Sequence, residues 1–317
     1  MSAVAVQMNK ALFHALTVNQ FDVPLIWQLI KRAEWLRGKS RDEARSRLQG
    51  KIVATLFYEP STRTRLSFEA AVLRLGGSVV GAENARETSS SKKGETLEDV
   101  FRVVGCYADA IVIRHHDQDE LDRAALYSPV PIVNAGAGSG EHPTQALLDV
   151  YTIWREVGRV DHLTVAVMGD LKYGRTVHSL LRLLAKFPGV RVRLFHPAPL
   201  GLPDDLAQEL AQAGLSLERA PDIESCIDGA DVVYQTRIQF ERLAGEVDPK
   251  AASLYALTVS HLALLPDHAR ILHPLPRVGE IAPEVDSDPR AAYFRQVENG
   301  LYMRMALLDA MLGGDER

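Results

Sequence analysis

Apolar runs rich in β-branched residues alternate with longer helical patterns along nearly the whole chain, and no other feature constrains the fold as much. Such alternation is the signature of βα units built on parallel sheets. Two series occur. The first has strand-like segments at 51–57, 78–81, 110–113 and 131–133, separated by helical patterns at about 64–75, 95–108 and 119–126. The second has strand-like segments at 163–168, 190–195, 215–217, 231–234 and 270–272, with helical patterns at 176–187 and 204–213. Between the series lies a helical pattern over 142–157, with Pro143 near its first turn, where a missing N–H costs nothing. A long helical pattern at roughly 291–312 ends at Gly313-Gly314 and is expected to pack back on the first domain; 22–37 reads as one more helix. The expectation is an α/β protein of two doubly wound parallel-sheet domains joined by interdomain helices. One domain comprises 1–144 plus about 296–317 and the other 145–295.

Composition removes several classes. At 317 residues, 46% hydrophobic and 24% charged, the chain has material for two ordinary cores and is neither collagenous nor disordered. No stretch approaches the roughly 20 uncharged apolar residues of a membrane span, and the first residues lack a basic start and an apolar core. Cys106 and Cys226 lie far apart in helix-like patterns, so neither a disulfide framework nor a thiolate metal site follows. A soluble cytoplasmic protein is expected. A formal net charge of -5 disfavours a broad nucleic-acid-binding face, although cations can still be concentrated in one cleft.

The stretch Tyr58-Glu59-Pro60-Ser61-Thr62-Arg63-Thr64-Arg65-Leu66-Ser67-Phe68-Glu69 leaves a buried strand and enters a helix on hydroxyls and cations. A helix N-terminus offers unpaired N–H groups and a positive dipole end, so this composition suits a phosphate. Ordinary capping by Ser61 or Thr62 is the alternative. The stretch is not a P-loop, which needs its glycines and a Gly-Lys-Ser/Thr ending. Gly169-Asp170-Leu171-Lys172-Tyr173-Gly174-Arg175 follows a strand but lacks the dinucleotide pattern G-x-G-x-x-G. Adjacent His115 and His116 are expected on opposite strand faces, which argues against metal binding, whereas Arg114 at an inner strand's carboxyl end is placed for ligand contact. His196, Asp204, His261 and His268 show no ligand spacing. Taken alone, Lys92-Lys93 reads as a solvated pair on a flexible loop, and His142 as a residue starting a helix.

Ser61-Thr62-Arg63-Thr64-Arg65 resembles the carbamoyl-phosphate motif of the aspartate and ornithine carbamoyltransferases. His142-Pro143-Thr144-Gln145 resembles the family's interdomain segment, and Ser89-Ser90-Ser91-Lys92-Lys93-Gly94-Glu95 the mobile loop of its aspartate branch. Lys172-Tyr173-Gly174-Arg175-Thr176-Val177-His178-Ser179, Thr236-Arg237-Ile238-Gln239 and His273-Pro274-Leu275-Pro276-Arg277 resemble that branch's aspartate-binding motifs. The resemblance runs from about residue 50 to 312, in the same order and at matching spacing. The ornithine branch fits poorly: its His-Cys-Leu-Pro motif reads His273-Pro274-Leu275-Pro276 here, and no Ser-Met-Gly occurs. Ornithine's ammonium would also need a carboxylate, whereas Arg175 and Arg237 suit two carboxylates.

The resemblance implies carbamoyl transfer from carbamoyl phosphate to L-aspartate, in a cleft between a carbamoyl-phosphate-binding first domain and an aspartate-binding second domain. It assigns Ser61, Thr62, Arg63 and Thr64 to the phosphate, and Arg114 to phosphate and carbonyl together. Thr64, Arg114 and His142 would donate to the carbonyl oxygen, Gln145 would orient the carbamoyl NH2, and Arg63, Thr64, Arg114 and His142 form the catalytic set. Arg175 is assigned to the α-carboxylate of aspartate, Arg237 and Gln239 to its β-carboxylate side, and the Leu275 carbonyl to the amine or carbamoyl group. Ser89 and Lys93 would come from a neighbouring subunit of a homotrimer with shared active sites. No cofactor, metal, nucleic acid or membrane is expected; a regulatory chain or a dihydroorotase is a possible partner. The alternatives are a carbamoyltransferase for another amino acid and a catalytically silent structural homologue.

Overall fold

The computed structural model, which describes residues 14–83, 94–138, 140–238 and 255–313, realises both strand series as parallel sheets. Met1–Thr144 with Leu301–Arg317 form one unit and Gln145–Gly300 a second. In the first, β1 (Ile52–Phe57), β2 (Ser78–Glu83), β3 (Ala110–His115) and β4 (Ile132–Ala137) lie in the order β2-β1-β3-β4. In the second, β5 (Thr164–Met168), β6 (Arg191–Phe195), β7 (Ser216–Arg219), β8 (Val232–Gln235) and β9 (Arg270–Leu272) lie in the order β7-β6-β5-β8-β9. Every strand pairing is parallel.

Burial follows from that topology. Crossover helices cover both faces of a parallel sheet, so a central strand must be apolar at successive positions rather than alternate ones. The last five residues of β1 and all five of β5 are buried accordingly. Edge strand β7 is mostly exposed, which matches its polar sequence Ser216-Leu217-Glu218-Arg219.

The helices are α1 (Val23–Gly38), α2 (Arg41–Arg45), α3 (Thr62–Arg74), α4 (Leu97–Val104), α5 (Gln118–Ala125), α6 (Pro143–Val157), α7 (Arg175–Leu184), α8 (Asp204–Gln212), α9 (Ile223–Ile227) and α10 (Tyr293–Leu312). The pattern expected as a helix over 95–108 is shorter as α4. It starts where Thr96 Oγ1 accepts the Asp99 N–H at 3.3 Å and stops at Gly105. A Cβ at Gly105 would lie 2.5 Å from Pro129 Cγ, so close packing fixes glycine at the end of the helix. The two short helices α2 and α9 were not expected from the sequence.

Within the first unit the end of α10 is tied by charge. Asp309, with no exposed side-chain surface, accepts Arg32 Nε at 2.5 Å and Arg47 Nε at 2.7 Å. Arg304 Nη1 donates to Ser67 Oγ at 2.8 Å, and Arg37 stacks over Tyr302 at 4.2 Å. Within the second unit, Arg295 near the start of α10 pairs with Glu156 of α6 at 2.9 Å. No helix among the described residues is long and apolar enough to cross a membrane.

Strand order locates the places where ligands are held. In each sheet the chain reverses its direction of winding once, between β1 and β3 and again between β5 and β8. At such a switch point the crossovers leave toward opposite faces, opening a crevice at the carboxyl ends of the strands.

Candidate functional site

Three of the chemistry-bearing segments converge on the carboxyl edge of the first sheet. β1 runs out through Tyr58-Glu59-Pro60-Ser61 into α3, β3 ends beside Arg114, and the segment after β4 leads to His142. Phe57 pairs in register with Arg114, and the Tyr58 N–H donates to the Arg114 carbonyl at 2.9 Å, which fixes the two strand exits side by side. Ser61 occupies the cap position of α3, yet its side chain makes no capping hydrogen bond. The capping alternative therefore does not account for this hydroxyl, and the positive end of a 13-residue helix stays open to an anion.

The two arginines of the motif part company. Arg65 Nε is held by Glu69 at 2.8 Å, and Thr55 Oγ1 donates to the same carboxylate oxygen at 3.1 Å. Arg63 is exposed and meets no carboxylate among the described residues. Thr62 is exposed and Thr64 buried, two positions apart in the first helical turn. Arg114 is largely buried and lies 3.4 Å from Glu59. Burial depresses its pKa, Glu59 works against that, and the like charge of Arg63 depresses it further. Two guanidinium groups close enough to repel, with one carboxylate paired to Arg114, form a site that an anion would relax. His142, 4% exposed, stands immediately before α6, and Gln145, 8% exposed, in its first turn.

The second sheet repeats the plan. β5 runs into Gly169-Asp170-Leu171-Lys172-Tyr173-Gly174 and then α7, whose first residue is Arg175; β8 runs into Thr236-Arg237. The two exits touch. Thr236 Oγ1 donates to the Met168 carbonyl at 3.0 Å and accepts the Asp170 N–H at 3.1 Å. A Cβ on Gly169 would lie 2.3 Å from the Thr236 carbonyl oxygen, and its φ of +110° is open to glycine alone. Asp170 is 1% exposed and its Oδ1 is occupied by the N–H groups of Lys172 at 3.1 Å and Tyr173 at 2.9 Å. One oxygen of the buried Asp170 carboxylate is thus committed to the loop, while Arg175 and Arg237 are both half-buried.

Leu275 follows β9 in the left-handed region, with φ +56°. A leucine there is strained unless its surroundings hold it. The Leu275 N–H donates to His273 Nδ1 at 2.7 Å, so the His273 proton sits on Nε2, which donates to Glu280 Oε1 at 2.7 Å. Burial raises the Glu280 pKa, but hydrogen bonds from His273 and the Val278 N–H outweigh it and leave the carboxyl below its ordinary value.

One sequence expectation is corrected. His115 and His116 do not point to opposite faces: their ring centroids lie 4.1 Å apart. β3 ends at His115, so strand alternation no longer governs His116 in the bend that follows. With Glu120 they bring three donor atoms within 4.8 Å of one another. His115 Nδ1 is engaged by the Asp117 backbone at 3.1 and 3.2 Å, and Nε2 lies 3.7 Å from Glu120. These contacts close the turn between β3 and α5. Ser89, Lys93 and Gln239 lie outside the described residues. Sequence reasoning missed Glu59, Asp149, Tyr234 and Gln296. Asp149 carried a signal, four residues after Gln145 on a helical pattern.

Residues 14–155 match the family described as aspartate/ornithine carbamoyltransferase, carbamoyl-P binding domain, and residues 161–311 match its Asp/Orn binding domain. The chain is 48% identical to the chloroplastic aspartate carbamoyltransferase of Oryza sativa, over 99% of this chain and 88% of the relative. It is similar to the catalytic subunit of M. jannaschii aspartate transcarbamoylase at 42% identity and a TM-score of 0.87, covering 95% of this chain and 98% of that one. The Trypanosoma cruzi aspartate transcarbamoylase in complex with carbamoyl phosphate and aspartate is 41% identical with a TM-score of 0.87, covering 95% of each chain.

Proposed function

The chain belongs to the aspartate/ornithine carbamoyltransferase family, and we propose that it transfers the carbamoyl group of carbamoyl phosphate to the α-amine of L-aspartate, giving N-carbamoyl-L-aspartate and phosphate. The observation that carries the choice of acceptor is the β5/β8 crevice, where Arg175 and Arg237 are half-buried and one oxygen of the Asp170 carboxylate is committed to backbone N–H groups. Two guanidinium groups suit a dicarboxylate and would repel an ammonium side chain. The similarity to a relative seen with carbamoyl phosphate and aspartate supports the same pair of substrates.

The residues then divide by the charge each must meet. Ser61, Thr62, Arg63 and Thr64 hold the phosphate at the start of α3. Arg114 bridges phosphate and carbonyl, and with Thr64 and His142 it donates to the carbonyl oxygen, where negative charge grows as the amine adds. Gln145 meets the carbamoyl NH2. Arg175 takes the α-carboxylate, Arg237 and Gln239 the β-carboxylate side, and the Leu275 carbonyl, set by the His273 hydrogen bond, contacts the amine or carbamoyl group. The tetrahedral species expels phosphate, which can itself take the amine proton, so no protein base is assigned.

We extend the reading to a homotrimer in which Ser89 and Lys93 complete a neighbour's site. Lys93→Gln and Arg63→Ala chains mixed at random should then recover about a quarter of wild-type activity, since each mixed ring holds one intact pair. The acceptor is tested by supplying aspartate, ornithine and N-acetylornithine to the purified protein with carbamoyl phosphate. Carbamoylation of aspartate alone is expected; turnover of ornithine would overturn the assignment.

A further inference from the structure

We propose that Asp149 is a positioning residue that fixes which end of the Gln145 amide faces the substrate, so that the site selects acyl phosphates bearing an N–H. The inference rests on the functional reading above, in which Gln145 meets the carbamoyl group. A glutamine amide is nearly symmetric in shape but opposite in hydrogen-bonding character at its two ends. A site that needs one end must therefore specify it through the neighbours.

The neighbours here form a chain of fixed polarity within the second unit. It starts at a backbone group that can only donate: the His273 N–H, just past β9, gives its proton to Gln296 Oε1 at 2.9 Å. Gln296 must then turn Nε2 the other way, and that nitrogen donates to Asp149 Oδ1 at 2.6 Å. Oδ1 is thereby an acceptor, and it also receives Gln145 Nε2 at 2.9 Å. Asp149 Oδ2 accepts the Tyr234 hydroxyl at 2.7 Å. Whichever species Oδ2 carries, the polarity at Oδ1 is set by Gln296. Asp149 and Tyr234 have no exposed surface and Gln296 only 1%, so water is not available to substitute for a reversed partner.

Gln145 Oε1 is what remains. Among the described residues no protein donor meets it. A carbamoyl group brings an NH2 that can donate to such an oxygen. An acetyl group of the same size brings a methyl, which displaces water from the Gln145 carbonyl oxygen without replacing its hydrogen bond, at a cost corresponding to roughly tenfold or more in binding. The Asp149 relay thus converts the backbone direction after β9 into a preference between two isosteric acyl phosphates.

The test is the ratio of kcat/KM for carbamoyl phosphate to that for acetyl phosphate, with aspartate as acceptor. Wild type should favour carbamoyl phosphate by about tenfold or more. Tyr234→Phe removes a donor from Oδ2 and leaves the Oδ1 chain intact, so it should lower thermal stability while the ratio stays within about twofold. Asp149→Asn can keep its carbonyl toward both glutamines and its NH2 toward Tyr234, so it should retain the ratio within about threefold. Asp149→Leu combined with Tyr234→Phe, which fills the space without an acceptor, should cut the ratio about tenfold or more. A merely structural role would depress both substrates equally and leave every ratio unchanged, which overturns the proposal. It is equally overturned if wild type uses acetyl phosphate as well as carbamoyl phosphate, or if Asp149→Asn alone abolishes the preference, and neither result needs the double variant to fold. A wild type that carbamoylates aspartate with no such preference sinks this inference only; one that forms no carbamoylaspartate sinks the functional reading beneath it.

Discussion

Replacing Arg63 by alanine separates the anion site from the fold more sharply than any other single change. Arg63 is exposed, belongs to no ion pair among the described residues, and its charge lowers the pKa of Arg114 by repulsion. That repulsion is present in the free and the ligand-bound protein alike, so its removal cancels in affinity and shows only as unchanged or slightly increased stability. The lost attraction does not cancel. A unit charge about 4 Å from phosphate at an effective dielectric near 20 is worth roughly 4 kcal/mol, and at about 1.4 kcal/mol per tenfold that corresponds to roughly 10³ in kcat/KM. The assay is carbamoylaspartate formation across a range of carbamoyl phosphate, alongside a thermal melt of the same preparation. Arg63→Ala should lose about a thousandfold in kcat/KM with no fall in Tm, and inorganic phosphate should cease to compete. A loss below tenfold, or a loss accompanied by a matching fall in Tm, refutes the reasoning.

Arg237→Ala should raise the KM for aspartate while calorimetry finds carbamoyl-phosphate binding retained within about twofold; equal loss of both contradicts the division of ligands. His178 Nε2 donates to the Leu171 carbonyl at 2.8 Å, and burial lowers its pKa below the ordinary 6.5. Its contribution is therefore complete above about pH 6.5 and is lost as the pH falls through the depressed folded-state value, because the unfolded chain takes the proton first. Urea unfolding at about pH 7.5 and 5.5 should show a smaller loss of stability for His178→Gln than for wild type. Burial pushes the Cys226 thiol up to about 12 whereas Cys106 is exposed. Native protein should therefore show one reactive thiol toward a disulfide reagent, and Cys106→Ser none.

The sheets were legible in the sequence because parallel strands must be apolar at consecutive positions, and 51–57, 110–113, 163–168 and 231–234 all carry such runs. Helices α2 and α9, five residues each, span too few turns for a 3.6-residue period to register. Arg114 could be named from its position at the end of an apolar run, whereas Arg175 and Arg237 were named through the family resemblance. That Arg63 is open while Arg65 is spent on Glu69 could not be read from the sequence, since it depends on where Glu69 and Thr55 meet. The Asp149 relay was hidden for a similar reason: its directly bonded members are up to 147 positions apart and only the fold joins them. The misplacement of His116 came from extending strand alternation one residue beyond the end of β3.

In the proposed function, the anion site at the start of α3 and the arginines at the β5 and β8 exits serve a single transfer reaction. Calorimetric titration of the purified protein with a bisubstrate analogue, a phosphonate joined through an amide to the two carboxylates of aspartate, measures that directly. Because one molecule then meets both sets of cations, it should bind at least about a hundredfold tighter than carbamoyl phosphate or aspartate alone, and Arg63→Ala and Arg237→Ala should each weaken it. An analogue that binds no tighter than its phosphonate half, or that is indifferent to Arg237→Ala, would contradict the claim.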